Sequence, residues 1–146
     1  MPSTRIRRIG RIRGLKQSAL DDRSKELAAA HQQLAAAEVQ LGVCVSTKAR
    51  ALGAIDEARR TSIAPDAWRE LEEWLETTKL REAAQRQRVA AHHNAVELAR
   101  QSVVAAQSEV KRLDELIDRI RSAEVAVETG KERKLEDELA GRKRAT

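Results

Sequence analysis

The sequence has no phenylalanine and no tyrosine, and it has only two tryptophans and two prolines among its 146 residues. A compact globular domain normally fills its centre with aromatic and branched aliphatic side chains, because these bury the most apolar surface. Alanine is the most frequent apolar residue here, and 35% of the chain is charged. A chain rich in Ala, Leu, Glu, Lys and Arg is typical of long helices and coiled coils. The composition therefore predicts an all-α protein.

Cysteines and long apolar runs are also scarce. The single cysteine, Cys44, excludes an internal disulfide and a zinc site made of cysteines. No apolar run approaches the ~20 residues that span a bilayer, and we find no signal-peptide core. The opening segment MPSTRIRRIGRIRGLK is rich in arginine and free of acids, as mitochondrial transit peptides are. Because it runs into the first predicted helix, we favour a cytoplasmic protein.

Leucines recur every seventh residue in the first half of the chain. They occupy the heptad a positions Leu20, Leu27, Leu34 and Leu41. Small residues fill most of the matching d positions, so that a large side chain on this helix faces a small one on its partner. After Leu41 we interpret the series as stepping, with a small phase slip, to Val45, Leu52 and Ile55.

The second half carries a longer heptad series, and a spacing of 3.5 residues held this long indicates a coiled coil. Between the halves lies TSIAPD, whose Pro65 suits the first turn of a helix. We predict a long antiparallel two-helix coiled-coil hairpin that pairs residue i with about residue 127 − i. Helix 1 spans about 5–60, the turn 61–66 and helix 2 about 65–128, followed by a basic tail, 129–146, in one domain. The predicted seam residues are Leu20, Leu27, Leu34, Leu41, Val89, His92, Val96, Val103, Val110, Leu113, Ile117 and Ile120.

The sequence shows no set of residues with catalytic spacing, and two helices offer no concave pocket for a substrate. We therefore predict no enzyme activity and no cofactor. His31, His92 and His93 could approach one another across the hairpin, which makes a Zn²⁺ site conceivable. Adjacent histidines point about 100° apart on a helix, so we favour the alternative, a polar layer of His92 with Gln85 and Glu82.

Positive charge is concentrated at the two ends of the chain. Residues 1–20 and 131–146 together carry +8, against +5 for the whole chain, which leaves −3 for the body. The hairpin brings both ends together, where Ile6, Ile9 and Ile12 alternate with arginines. Candidate partners are an acidic protein cavity, nucleic acid or an anionic membrane. Nucleic acid is disfavoured, because the chain offers no aromatic platform for bases.

The segment VKRLDELIDRIRSAEVAVETGKERKLEDELAGR, together with the basic start and the two Ala/Gln/Glu/Arg-rich helices, resembles the FliJ/YscO family of type III secretion stalk proteins and its HrpO relatives. The resemblance covers essentially the whole chain. It implies a coiled coil similar to the stalk in the gamma subunit of rotary ATPases. It also implies a location in the bacterial cytoplasm, on the cytoplasmic side of the secretion apparatus.

The resemblance further implies a non-enzymatic protein that enters the hexameric secretion ATPase, promotes its assembly or activity, and links it to the export gate. Secretion chaperones are a further implied partner. The candidate contacts with the ATPase ring are Arg5, Arg7, Arg8, Arg11, Arg13, Lys16, Leu135 and Leu139. Two alternatives stay open: a helical adaptor or scaffold that self-associates, and a binder of anionic surfaces through the Arg-rich end. The choice between a flagellar and a virulence-associated system also stays open.

Overall fold

The computed structural model describes residues 3–145, which form two α-helices packed against each other. Helix α1 spans Thr4–Arg60, and helix α2 spans Pro65–Ala145. No strand occurs among the residues described. The prediction of an all-α helical hairpin is thereby confirmed.

Local signals define both ends of α1. The Ser3 hydroxyl accepts a hydrogen bond from the N–H of Ile6 at 3.2 Å, and the Ser3 carbonyl accepts one from Arg7 at 3.0 Å. Ser3 is therefore the N-cap, a position that satisfies one of the four free N–H groups of a helix start. At the other end, Arg59 and Arg60 lie in the last turn, where cations favour the negative end of the helix dipole.

A four-residue connection, 61–64, separates the two helices. Helix α2 begins with Pro65, which has no N–H to leave unpaired, and Asp66 lies in the first turn at the positive end of the dipole. The N–H of Trp68 donates to the carbonyl of Ala64 at 3.0 Å and closes the first helical turn. The turn therefore lies where the internal proline places it.

Helix α2 continues to Ala145, whereas the sequence analysis ended it near residue 128. Gly130 does not interrupt the helix, because its φ is not positive and the backbone there is ordinary helix. A glycine inside a helix costs about 1 kcal/mol relative to alanine. The neighbouring Lys, Glu, Arg and Leu residues are strong helix formers, and they carry the helix through this one weak position.

The chain divides into two compact units. The terminal unit comprises Met1–Asp22 and Val104–Thr146, and the turn unit comprises Arg23–Val103. The sequence analysis expected one domain. The two units are described separately below.

In the turn unit, large and small side chains alternate across the seam. Leu34, Ala37, Ala51, Ile55 and Ala58 of α1 are buried. From α2, Val96 and Val103 are buried together with the polar Thr78, Glu82 and Gln85. The alanines let the helix backbones approach closely, as close packing requires.

The heptad of α1 runs through this unit without the predicted phase slip. Val45 and Leu52 are 40% and 43% exposed, so they do not lie in the seam. Lys48 is half-buried and Ile55 is buried, and these two residues follow Leu41 at intervals of seven. The sequence analysis did not place Lys48 in the seam. It did not foresee that a carboxylate on α2 compensates this charge.

In the terminal unit, the core is a small isoleucine cluster. Ile6 packs with Ile117 and Ile120, and the half-buried Ile9 lies against them. The guanidinium Nε of Arg13 lies 2.7 Å from Asp114 Oδ1, the pairing expected from residue i with 127 − i. From residue 121 to residue 144 every side chain is exposed.

The twelve predicted seam residues are all buried or half-buried. Those classed as buried are Leu34, Val96, Val103, Val110, Ile117 and Ile120. Those classed as half-buried are Leu20, Leu27, Leu41, Val89, His92 and Leu113.

Candidate functional site in the terminal unit

The start of α1 presents four exposed arginines. Ile6 and Ile9 face α2. The arginines on the other faces of this helix start are exposed: Arg5, Arg7, Arg8 and Arg11. None of the four forms an ion pair within residues 3–144. The first three turns of α1 therefore carry a cluster of unneutralised positive charge, which we call the arginine cluster (Arg5, Arg7, Arg8 and Arg11).

Arg13 and Lys16, which the sequence analysis grouped with these arginines, bind carboxylates of α2 instead. Arg13 contacts Asp114, and Lys16 Nζ lies 3.0 Å from Glu109 Oε2. The hydrogen bond from Arg13 lowers the pKa of Asp114, and the same bond raises the pKa of Arg13. All four side chains are more than one-third exposed, so we expect each pair to contribute little stability. Both cations are therefore paired across the two helices, unlike those of the arginine cluster.

Helix α2 extends past the start of α1 and exposes an apolar line there. A groove of about 480 Å³ continues the seam beyond Ile120, and Ala123 and Val127 line it together with Arg5 and Lys131. Leu135 and Leu139, farther along, are 61% and 51% exposed. The arginine cluster and the free end of α2 thus lie in one unit and share a groove.

The extension of α2 is nearly neutral. Between residues 121 and 144 it carries seven basic and six acidic residues. The positive field of the terminal unit therefore originates mainly in the arginine cluster, and the extension contributes apolar surface. This arrangement can bind a surface that is both acidic and partly apolar.

A second polar site lies in the turn unit, where charged groups occupy the seam. The side chain of Glu82 is only 7% exposed, and its carboxylate lies 2.6 Å from Lys48 Nζ and 2.7 Å from Arg86 Nη2. Hydrogen bonds from Lys48 and then from Arg86 lower the pKa of Glu82, against the opposing effect of its burial. A buried carboxylate with two cations is electrostatically satisfied.

Gln85 and Thr78 complete this polar layer. The amide of Gln85 donates to the carbonyl of Ala37 on the other helix at 3.0 Å. The hydroxyl of Thr78 donates to the carbonyl of Leu75 on its own helix at 2.8 Å. The sequence analysis placed Glu82 and Gln85 in such a layer together with His92, which is half-buried. It did not include Lys48 or Thr78 in this layer. The sevenfold spacing from Leu41 to Lys48 was the signal for the former.

The remaining polar residues do not gather into a chemical site. His31 is exposed, and His93 Nε2 lies 3.5 Å from Glu38 Oε1. Cys44 is a half-buried free thiol. Among the residues that the structure describes, no group of three or more His, Cys, Asp or Glu side chains is arranged to hold a metal ion.

A family model described as Flagellar FliJ protein matches residues 6–145. The chain belongs to the FliJ family. The predicted resemblance is thereby confirmed, and the match includes Arg7, Arg8 and Arg11 of the arginine cluster as well as the extension of α2. FliJ proteins are non-catalytic stalk components of flagellar and type III export systems.

No curated protein and no solved structure matches the chain significantly. Within the described part of this FliJ-family chain, neither helix has a stretch long and apolar enough to cross a membrane.

Proposed function

We propose that this FliJ-family protein is a non-enzymatic stalk that binds the hexameric secretion ATPase through its terminal unit. The observation that carries the proposal is the arginine cluster, whose four charges have no partner within residues 3–144. Unneutralised cations on one helix face attract an acidic cavity and accelerate association with it. The exposed Leu135 and Leu139 supply apolar surface that binding can bury.

The stalk acts on the ATPase by binding and contributes no catalytic group. A partner shifts a conformational equilibrium only by the difference in its affinity for the two states. The stalk therefore binds one conformation of the ring more tightly than others, and this promotes ring assembly or hydrolysis. In the same proposal it links the ATPase to the export gate, binds secretion chaperones, and works on the cytoplasmic side of the apparatus. That apparatus is either flagellar or a virulence-associated secretion system of the YscO or HrpO type.

The hydrolysis rate of the cognate secretion ATPase tests the proposal. We expect the native chain to stimulate hydrolysis and a variant with Arg5, Arg7, Arg8 and Arg11 changed to alanine to lose most of this effect. Arg13 and Lys16 stay unchanged, because their charges are already paired with carboxylates of α2.

A matched control removes the same charge from the turn unit. The exposed residues Arg50, Lys79, Arg81 and Arg88 are changed to alanine, and this variant should stimulate as the native chain does. Equal loss in both variants would show a general effect of net charge. Absence of stimulation and of co-migration by a folded native chain would refute the stalk proposal.

The arginine cluster also supports a second candidate, a binder of anionic surfaces. Binding to duplex DNA or to vesicles with anionic lipid, lost steeply between low and physiological salt and independent of the ATPase, would favour that function. The same cluster variant separates the two candidates, since it is assayed against the ATPase and against each surface in turn.

A further inference from the structure

The two tryptophans of the chain lie six residues apart in the turn unit, at the start of α2. Trp74 is 40% exposed, and Trp68 is half-buried. The indole N–H of Trp68 donates to the carboxylate of Glu72 at 2.6 Å, which holds that ring in place. Tryptophan is the residue most enriched at the energetic centres of protein interfaces, because it combines a large apolar face with a polar edge.

Trp74 borders an apolar groove between the last turns of α1 and the first turns of α2. The groove has a volume of about 650 Å³, and its apolar lining consists of Ala54, Ala58, Ile63, Ala67, Leu71 and Trp74. The alanines leave the groove open. Ile63, in the connection between the helices, is 36% exposed. The groove therefore has an apolar floor without a side chain of this unit filling it.

Two acidic residues, Glu57 and Glu70, line the groove, and the segment that contains them is acidic. Residues 56–76 contain seven acids and three bases, a net charge of −4 in a chain whose total is +5. Two of the bases pair within α1, Arg59 with Asp56 at 3.8 Å and Arg60 with Glu57 at 4.0 Å. Beyond them the segment keeps five acids against the single base Arg69. The groove thus combines an aromatic anchor with a negative rim.

We infer that this turn groove is a docking site for a basic amphipathic helix of a partner protein. The apolar stripe of such a helix, at i, i+3, i+4 and i+7, would pack on Trp74 and Leu71, as in other helix-in-groove complexes. Its Lys and Arg side chains would face Glu57 and Glu70, the two acids that line the groove. Charge complementarity selects a basic partner over an acidic one. The inference uses no residue of the arginine cluster and is independent of the proposed binding to the ATPase.

A labelled peptide of about 18 residues, roughly five helical turns, tests the inference. It carries leucine at one helix face and lysine at the others, and its binding to the full chain is followed by fluorescence anisotropy. We expect saturable binding that weakens as salt is raised. Two control peptides, a scramble of the same composition and an amphipathic Leu/Glu peptide, should bind at least about tenfold more weakly.

Variants of the protein locate the site. Trp74→Ala should weaken binding by about tenfold or more, because it removes the aromatic anchor. Leu98→Ala, at a position 66% exposed elsewhere in the unit, is the matched control and should bind as the native chain does. A double variant, Glu57→Gln with Glu70→Gln, should keep the fold, because both side chains are exposed, and should lose most of the salt dependence.

Intrinsic fluorescence gives an independent readout, because without tyrosine all emission in the near ultraviolet comes from the two indoles. A Trp68→Phe variant isolates Trp74, whose emission should shift to the blue when the peptide binds. Equal affinity for all three peptides, unchanged binding by Trp74→Ala, or no shift of Trp74 would each overturn the inference. A dimer in sedimentation that Trp74→Ala abolishes would also overturn it, by showing that a second copy fills the groove.

Discussion

The carboxylate of Glu82 shows how one residue can make a charged position acceptable inside a helical seam. It contacts Lys48 on α1 and Arg86 one turn along α2, both within 2.7 Å. Losing one partner of a buried ion pair leaves the other charge without compensation, which is strongly destabilising. The three residues therefore act as a group, and a substitution at Glu82 affects all of them.

This contact makes the stability of the turn unit depend on pH. The pKa of Glu82 is lower in the folded chain, so its contribution is complete above the ordinary glutamate pKa of about 4.3 and is lost as pH falls through the lower folded value. We expect the midpoint of thermal unfolding, followed by circular dichroism from about pH 7 to about pH 3, to fall at the acid end. In Glu82→Gln this fall should be smaller.

Asp114 provides the matched control for that measurement. Its pKa is also lowered, so its stabilising contribution is likewise lost when the carboxylate is protonated at acid pH. Asp114→Asn removes that contribution from the terminal unit and leaves the one from Glu82. An identical pH profile for the native chain and Glu82→Gln would show that Glu82 is not coupled to folding.

At the scale of the element, α1 follows a strict sevenfold repeat through Leu34, Leu41, Lys48 and Ile55. The d positions 37, 44, 51 and 58 hold Ala, Cys, Ala and Ala, each buried or half-buried. A repeat of seven keeps one face of the helix toward its partner, whereas the apolar side chains outside the repeat face solvent.

Two neighbouring substitutions test this repeat. Ile55→Ala, at a buried position, should lower the free energy of unfolding by about 2–4 kcal/mol because it leaves a cavity in the seam. Leu52→Ala, at a position 43% exposed, should change it by less than about 0.5 kcal/mol. Urea denaturation followed at 222 nm measures both. A larger loss of the free energy of unfolding for Leu52→Ala than for Ile55→Ala would support the predicted phase slip in α1.

The extension of α2 is the element most sensitive to intrinsic helix propensity, since its side chains from residue 121 to 144 are exposed. Gly130→Ala should stabilise it locally by about 0.5–1 kcal/mol, and an added Cβ meets no atom within 4 Å. Slower hydrogen exchange of amides around residue 130 would be the evidence. Gly42→Ala, where a Cβ also has open space, is the control and should leave exchange in the extension unchanged.

At the scale of the whole molecule, the formal charge of +5 does not show that the two units differ in their surface charge. The terminal unit carries the arginine cluster, and the start of α2 in the turn unit carries an acidic segment. Surface charges that lack partners act over about one Debye length, roughly 10 Å at 0.1 M salt. Electrostatic attraction by the terminal unit should therefore be visible in association rates.

We expect the association rate with the secretion ATPase to fall as salt rises from about 50 mM to about 300 mM. The arginine-cluster variant should associate slowly at both salt concentrations and show a weaker dependence. Stopped-flow mixing measures these rates, and the turn-unit charge variant serves as the comparison. A native rate that is insensitive to salt would remove electrostatic steering from the proposed function.

The sequence by itself determined the two helices and their connection. These features follow from local properties: helix propensity, the sevenfold repeat, and a proline that cannot lie inside a helix without cost. The FliJ family could also be recognised at this stage, because composition and pattern extend over the whole chain. The end of α2 was misjudged because a single glycine was given more weight than the helix formers around it.

Only the tertiary structure decided which charged and apolar side chains remain available to partners. Arg13 and Asp114 lie 101 residues apart in sequence, and Lys48 and Glu82 lie on opposite helices, so no local pattern reveals that they bind each other. The same applies to Trp74, whose exposure depends on the alanines of α1 that face it. The packing of the two helices determines which residue lies opposite a charge or an aromatic ring. That neighbour decides whether the side chain remains available to a partner.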